Sequence, residues 1–225
     1  MSVTSPDGAL LVARDVGFAY PGARDVPVVE NWDAAFHGGS ITAMTGPSGS
    51  GKSTRLYVLA MMLHLTSGRI ELDGERVDDW SDAARTALRA HRFGFVFQDA
   101  ALDPSRSVID NVVEAALYRG QDRRAVVPRG LQLMERFGIT VPARRKPGQI
   151  SGGQAQRIAL CRALVGAPDI LLADEPTGNL DGASADVVLG AFREHADAGG
   201  CVIVVTHDES VANRADARVQ IEVSM

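Results

Sequence analysis

The stretch Gly46-Pro47-Ser48-Gly49-Ser50-Gly51-Lys52-Ser53 constrains this chain more than any other segment. Its spacing, G-x-x-x-x-G-K-[ST], is that of a loop that holds the phosphates of a nucleotide. Ser40–Thr45, a short apolar strand, runs into it, and a helix from Gly51 to about Leu63 leads out. Glycine lets such a loop turn sharply and aim successive N–H groups at anionic oxygens, and the following helix dipole adds favourable charge. In that setting Lys52 reaches the β- and γ-phosphates and Ser53 offers its hydroxyl to Mg²⁺. Gly46, Pro47, Ser48, Gly49, Ser50, Gly51, Lys52, Ser53 and Thr54 are therefore the candidate nucleotide-binding residues.

A chain of 225 residues fits one α/β domain carrying an inserted helical lobe. Hydrophobic residues make up 45% and aromatics 5%, as in a core rich in Val, Leu and Ala. The net charge of −5, with acids and bases interspersed, argues against a nucleic-acid surface, which carries a basic stripe. Only Lys52 and Lys146 are lysines among the 23 basic residues. Cys161 and Cys201 lie far apart without metal spacing and read as reduced, buried thiols. The N-terminus lacks a signal-peptide pattern, and the apolar run Leu56–Leu65 is too short to span a membrane. The expectation is a soluble chain with one nucleotide-binding unit and no room for a C-terminal regulatory domain.

Strands are predicted at Leu10–Val16, Val28–Phe36, Ser40–Thr45, Gly68–Leu72 and Phe93–Phe97. From about Ala100 to Leu164 strand signals give way to helical periodicity, in Val108–Leu117, Leu131–Phe137 and Gly153–Val165. Strands return at Ile170–Ala173 and Cys201–Thr206, continuous apolar runs of the kind found in parallel sheets covered on both faces. A helix, Ala183–Ala196, joins them, and a last strand covers Arg218–Glu222.

Asp174-Glu175 ends an apolar strand, which puts two carboxylates at the carboxyl edge of a sheet beside the phosphate loop. Asp174 suits a role in orienting Mg²⁺, and Glu175 suits a general base for an attacking water. Gln98 and His207 also follow strands. Ile150-Ser151-Gly152-Gly153-Gln154 is a Gly-Gly turn opening a helix, where Ser151 and the helix N-terminus form an anion site.

The phosphate loop, the Ile150–Gln154 turn and Leu171-Leu172-Ala173-Asp174-Glu175, in that order, resemble the ATP-binding cassette (ABC) ATPases over about 12–221. The resemblance implies an α/β phosphate-loop NTPase fold with a mostly parallel central sheet, an antiparallel β-subdomain and an inserted α-helical lobe. That division puts about 1–98 and 165–225 in the sheet core and about 99–164 in the lobe. It implies that Gln98 touches Mg²⁺ and the attacking water, so that Ser53, Gln98 and Asp174 form the metal set, with Glu175, His207, Gln98 and Lys52 catalytic. His207 would hydrogen-bond the γ-phosphate. Ser151, Gly152, Gly153 and Gln154 would meet nucleotide held by an opposite subunit in a head-to-tail dimer, and Asp181, in Asn179-Leu180-Asp181, would communicate across it. Tyr20 stands where the family stacks an aromatic on adenine, with Phe18 and plain core packing left open.

Glu175-Pro176-Thr177-Gly178-Asn179-Leu180-Asp181 and Leu117-Tyr118-Arg119-Gly120 resemble, more narrowly, the lipoprotein-release, macrolide-export and cell-division branch. This implies an ATPase using ATP and Mg²⁺ on the cytoplasmic face of the cell membrane. Its partners would be a separate permease and a second ATPase subunit, with no nucleic acid. An ATPase controlling cell-wall hydrolysis is the alternative. A ribosome- or DNA-acting ABC protein would carry two cassettes or coiled-coil insertions, and a metabolite kinase would lack the Ile150–Gln154 turn. Three positions depart from the pattern: Ile150 for Leu, Asp99–Pro104 for a more apolar segment, and Arg55 for an apolar residue.

Overall fold

The computed structural model describes residues 8–23, 26–178 and 180–222. Along the chain run β1 (Leu11–Phe18), β2 (Val29–Phe36), β3 (Ser40–Thr45), α1 (Lys52–Leu59), β4 (Ser67–Leu72), β5 (Glu75–Arg76), α2 (Asp82–Arg92) and β6 (Phe93–Val96). They are followed by α3 (Val108–Tyr118), α4 (Arg123–Arg136), α5 (Gly152–Leu164), β7 (Ile170–Asp174), α6 (Gly182–Asp197), β8 (Cys201–Val205), α7 (Glu209–Ala212) and β9 (Ala217–Gln220).

Two sheets form. One is antiparallel, in the order β2-β1-β4-β5; the other is parallel throughout, in the order β6-β7-β8-β3-β9. Every residue of β7 and β8 is buried, which explains why their sequences are unbroken apolar runs instead of alternating ones. Strand alternation then divides their side chains between two cores. Ile170, Leu172, Cys201, Ile203 and Val205 pack with Met44, Leu56, Leu59 and the antiparallel sheet's Leu11, Phe36 and Ile70. Leu171, Ala173, Val202 and Val204 face the opposite way, into a cluster with Val108, Val112 and Val113 of α3, Ile158 of α5 and Phe192 of α6. Because all five strands of the second sheet run the same way, the segments after β3, β6, β7 and β8 gather along one edge.

Several elements differ from the sequence reading. α1 stops at Leu59, four residues early, where the chain turns through a left-handed Met61 with φ 55°. The expected Leu131–Phe137 helix is the second half of α4, which starts at Arg123 on an Asp122 cap and carries Pro128 within it. Pro128 hid the first turn, since its fixed φ is helical but its missing N–H normally marks a boundary. α2 was not anticipated: its inward face is Ala84, Arg85, Leu88 and Arg89, with Leu88 the one large apolar side chain packed on the core, so charged residues interrupt the apolar stripe. Its Ser81 cap and basic last turn, Arg89, His91 and Arg92, are the signals that mark it.

Two predictions follow from packing. At Gly68 φ is +77°, and an added Cβ would lie 2.2 Å from the Asp15 carbonyl oxygen and 2.4 Å from that of Arg14. Gly68→Ala should therefore lower unfolding free energy by about 2–4 kcal/mol in urea titration; unchanged stability would mean that β1 moves aside freely. Burial pushes the Cys161 and Cys201 thiols up to about 12. At pH 8 roughly one part in ten thousand of each is thiolate, so neither should react with a thiol reagent until the chain is unfolded.

Candidate functional site

The phosphate loop joins β3 to α1 through three glycines with positive φ: Gly46 at 155°, Gly49 at 79° and Gly51 at 79°. A Cβ on Gly46 would lie 2.3 Å from the Ile221 carbonyl oxygen, so the loop is pressed against the residue just after β9 and closes only with glycine there. Lys52 is 8% exposed and its Nζ donates to the carbonyls of Gly46 and Pro47, at 2.9 and 2.8 Å. The ammonium thus lies folded against the loop it is expected to serve. Ser50 Oγ is buried without a hydrogen-bond partner. A lysine ammonium held only by neutral carbonyls, an orphaned hydroxyl and a glycine cradle offer donors that a polyphosphate fits.

Asp174 closes β7 and is 6% exposed. Burial pushes its carboxyl up from the usual range, while hydrogen bonds from Ser53 Oγ to Oδ1 (3.0 Å) and Tyr57 Oη to Oδ2 (3.1 Å) oppose that. A buried carboxylate beside a hydroxyl suits a hard cation with oxygen ligands. Among the described residues no group of three or more His, Cys, Asp and Glu side chains stands ready for a metal. The donors present therefore fit Mg²⁺, which keeps waters and shares substrate phosphates, better than Zn²⁺.

Glu175 takes a left-handed conformation, φ 45°, directly after the strand. Its N–H donates to the Val205 carbonyl at 2.9 Å, so the turn is anchored to β8. This geometry delivers the carboxylate to the end of β8, where Oε2 accepts from Thr206 Oγ1 (3.3 Å) and from the His207 N–H (3.4 Å). Oε1 lies 2.7 Å from His207 Nδ1. Since a carboxylate only accepts, Nδ1 carries the proton, and Nε2 can then donate to another anion only from the doubly protonated imidazolium. Thr206, fully buried, is a member of this group that the sequence did not single out.

Gln98 is exposed just beyond β6 and lines, with Gly152, Pro176 and Leu180, a small cavity of about 100 Å³. The loop after it is fastened to α5. Gln156 donates to the Phe97 carbonyl at 2.9 Å, and Arg162 to those of Ala100 (2.8 Å) and Ala101 (2.6 Å), holding both alanines at positive φ, 61° and 45°. Ser151 caps α5 in a reciprocal capping box with Gln154 and is exposed, as is Gly152. Gly153 sits where a Cβ would approach Ser184 Oγ to 3.2 Å. Among the described residues no hydrogen bond joins Ser151–Gln154 to the phosphate loop of the same chain.

Asp181 caps α6, accepting from the Ser184 N–H at 2.8 Å, which holds its carboxyl below the usual range. Its neighbour Asn179 lies outside the described residues. Tyr20, 45% exposed, meets Phe18 edge to face at 4.9 Å and lies 3.4 Å, oxygen to oxygen, from Thr54 Oγ1. Phe18 is 3% exposed, so of the two rings Tyr20 is the one presented beside α1.

The sequence profile of a family described as ABC transporter matches residues 29–178. The chain is 41% identical over 202 residues to the lipoprotein-releasing system ATP-binding protein LolD 1 of Caulobacter vibrioides, covering 89% of this chain and 86% of that one. It is 39% identical over 200 residues to the probable syringafactin export ATP-binding/permease protein SyfD of Pseudomonas syringae pv. syringae, covering 89% of this chain and 31% of that one. The chain spans about a third of the ATP-binding/permease relatives it matches. Among solved structures it superimposes, with TM-score 0.87, 29% identity and 94% of each chain covered, on the dimeric post-hydrolysis state of the ATP-binding cassette MJ0796 bound to ADP and Pi. A phosphate loop on β3, two acids after β7 and a capped glycine turn on α5 thus occur together in a chain that belongs to the ABC transporter family, as one of its ATPases.

Proposed function

We propose that this chain is the ATP-hydrolysing subunit of an exporter or mechanotransmission complex of the lipoprotein-release and macrolide-export kind. Two copies close head to tail on ATP and thereby move a permease carried on a separate chain. One observation carries this reading: each chain assembles half a site around Lys52, Asp174, Glu175 and His207, and exposes the other half, Ser151 and Gly152, toward solvent. The dimeric MJ0796 cassette and the ATP-binding proteins named above support it.

In this reading Gly46–Thr54 wrap the phosphates, Lys52 turns from its loop carbonyls to phosphate oxygens, and Tyr20 offers a ring face to adenine. A magnesium ion held by Ser53, Gln98 and Asp174 would supply positive charge against the phosphate oxygens. Glu175 orients and deprotonates the attacking water, using lone pairs left by Thr206 and His207. His207, its Nδ1 bonded to Glu175, donates through Nε2 to the outermost phosphate when both ring nitrogens carry protons. From the second subunit Ser151, Gly152, Gly153 and Gln154 present a capped helix N-terminus to the same phosphate, and Asp181 stands at the contact between subunits.

The division of labour extends to the domain. Residues of about 1–98 and 165–225 form the nucleotide-binding core, and about 99–164 form a lobe that swings Ser151 toward the partner. Among the described residues no helix is long and apolar enough to cross a membrane. The permease does so, and the cassette works on the cytoplasmic face of that membrane. An open groove of about 790 Å³ bordered by α2, α3 and the end of β6, with Ala83, Ala87, Phe95, Phe97 and Tyr118 on its walls, is the seat for a cytoplasmic segment of the permease. It adjoins the Gln98 loop that Gln156 and Arg162 hold.

Glu175→Gln should lower phosphate release by at least about 100-fold and accumulate a nucleotide-bound dimer in size-exclusion chromatography with magnesium ATP. A wild-type rate removes Glu175 from the role. A mixing experiment tests the shared site. Lys52→Ala and Ser151→Arg chains, each inactive alone, should regain hydrolysis when mixed, because one of the two sites in a mixed dimer joins an intact Lys52 to an intact Ser151. If the mixture stays as inactive as its parts, the site is not shared between chains.

A further inference from the structure

Arg55 stands in the second turn of α1 and is 5% exposed. Its Nη1 donates to the Ser50 carbonyl at 2.7 Å, and its guanidinium carbon lies 5.6 Å from the centre of the Trp32 ring. Nε has no hydrogen-bond partner, and among the described residues no carboxylate stands within ion-pair distance. A buried cation without an anion is disfavoured, and here, among the described residues, only the Trp32 ring face and the Ser50 carbonyl offset that cost. Packing alone therefore does not account for arginine at this position, and the phosphate loop it touches does.

The Ser50–Gly51 peptide is trans and planar, so its C=O and N–H point in opposite directions. Fixing the carbonyl against Arg55, on the Trp32 side, turns the Gly51 N–H to the opposite side, away from both residues. Nothing in the protein accepts from that N–H among the described residues. Gly51 itself is held in the left-handed region, φ 79°, and a Cβ there would come within 2.9 Å of Arg55 Nη1 and of Val28 Cγ1, so loop and guanidinium are in direct contact. The guanidinium also adds a fixed positive charge behind the loop, screened little because it is buried.

We propose that Arg55 is a positioning residue for nucleotide binding, holding the Ser50 carbonyl outward so that the Gly51 N–H faces the phosphates. The inference rests on the phosphate loop's holding nucleotide, as argued above. ATP and ADP engage the loop alike through it, so its effect falls on binding and needs no metal.

The test is titration of fluorescent ATP and ADP analogues, without magnesium, into wild type, Arg55→Met and Arg55→Lys, with melting temperatures of the nucleotide-free chains. Arg55→Met should bind both nucleotides about tenfold more weakly while melting at or above the wild-type temperature. Unchanged affinity overturns the proposal, as does a loss of affinity accompanied by a lower melting temperature, which marks a structural role. If the methionine variant does not fold, Arg55→Lys decides. With charge kept on a shorter stem, it should bind several-fold more weakly, and wild-type affinity in it overturns the proposal. Failure of wild type to bind either nucleotide would instead bring down the underlying reading of the loop.

Discussion

Parallel pairing of β3 with β8 and of β8 with β7 is the constraint from which the rest of the site follows. With both faces of these strands buried, a slip of one residue would move every side chain to the wrong core. The register therefore fixes where each strand ends, and the residues proposed to form the site stand at those ends. Across the sheet edge lie, in order, Gln98 after β6, Asp174 and Glu175 after β7, Thr206 and His207 after β8, and the phosphate loop after β3. β8 separates β3 from β7, two strand spacings or about 10 Å. Ser53 still hydrogen-bonds Asp174, because the loop doubles back and starts α1 over the intervening strand.

Charge at this edge is distributed with little direct pairing. Lys52 is held by backbone carbonyls and Asp174 by two hydroxyls, so neither spends its charge on the other. Glu175 is tied to His207 and Thr206 through a left-handed turn that an ordinary residue adopts at some cost. Lys52 and Asp174 are thus held close to each other without forming an ion pair, which leaves both charges for a ligand once Lys52 exchanges its loop carbonyls for it.

α5 links two parts of the molecule that the sequence lists separately. Its first turn presents Ser151 to solvent, and its body holds the carbonyls of Phe97, Ala100 and Ala101 through Gln156 and Arg162. Helix and loop are thus joined by three side-chain hydrogen bonds. The left-handed alanines in that loop have no glycine to relax them, so the arginine contacts decide their conformation.

How much of this was legible beforehand depended on whether the cause was local. The phosphate loop, the apolar strands and the capped turn at Ser151 are written in short patterns, because backbone geometry and burial act over a few neighbouring residues. The same holds for Asp174 and Glu175, whose place follows from the end of an apolar run. α2 and the first half of α4 escaped: arginines on the inward face of α2 and Pro128 in α4 blur their apolar period. Thr206 and Tyr57 escaped for another reason, and Arg55 stood out only as a departure from the family pattern, without its contacts. Tyr57 and Thr206 matter through carboxylates 117 and 31 residues away in the chain, and Arg55 through Trp32 and the loop's own carbonyl. Sequence determined which residues stand on which strand; the strand order, which is a matter of long-range pairing, determined which of them touch.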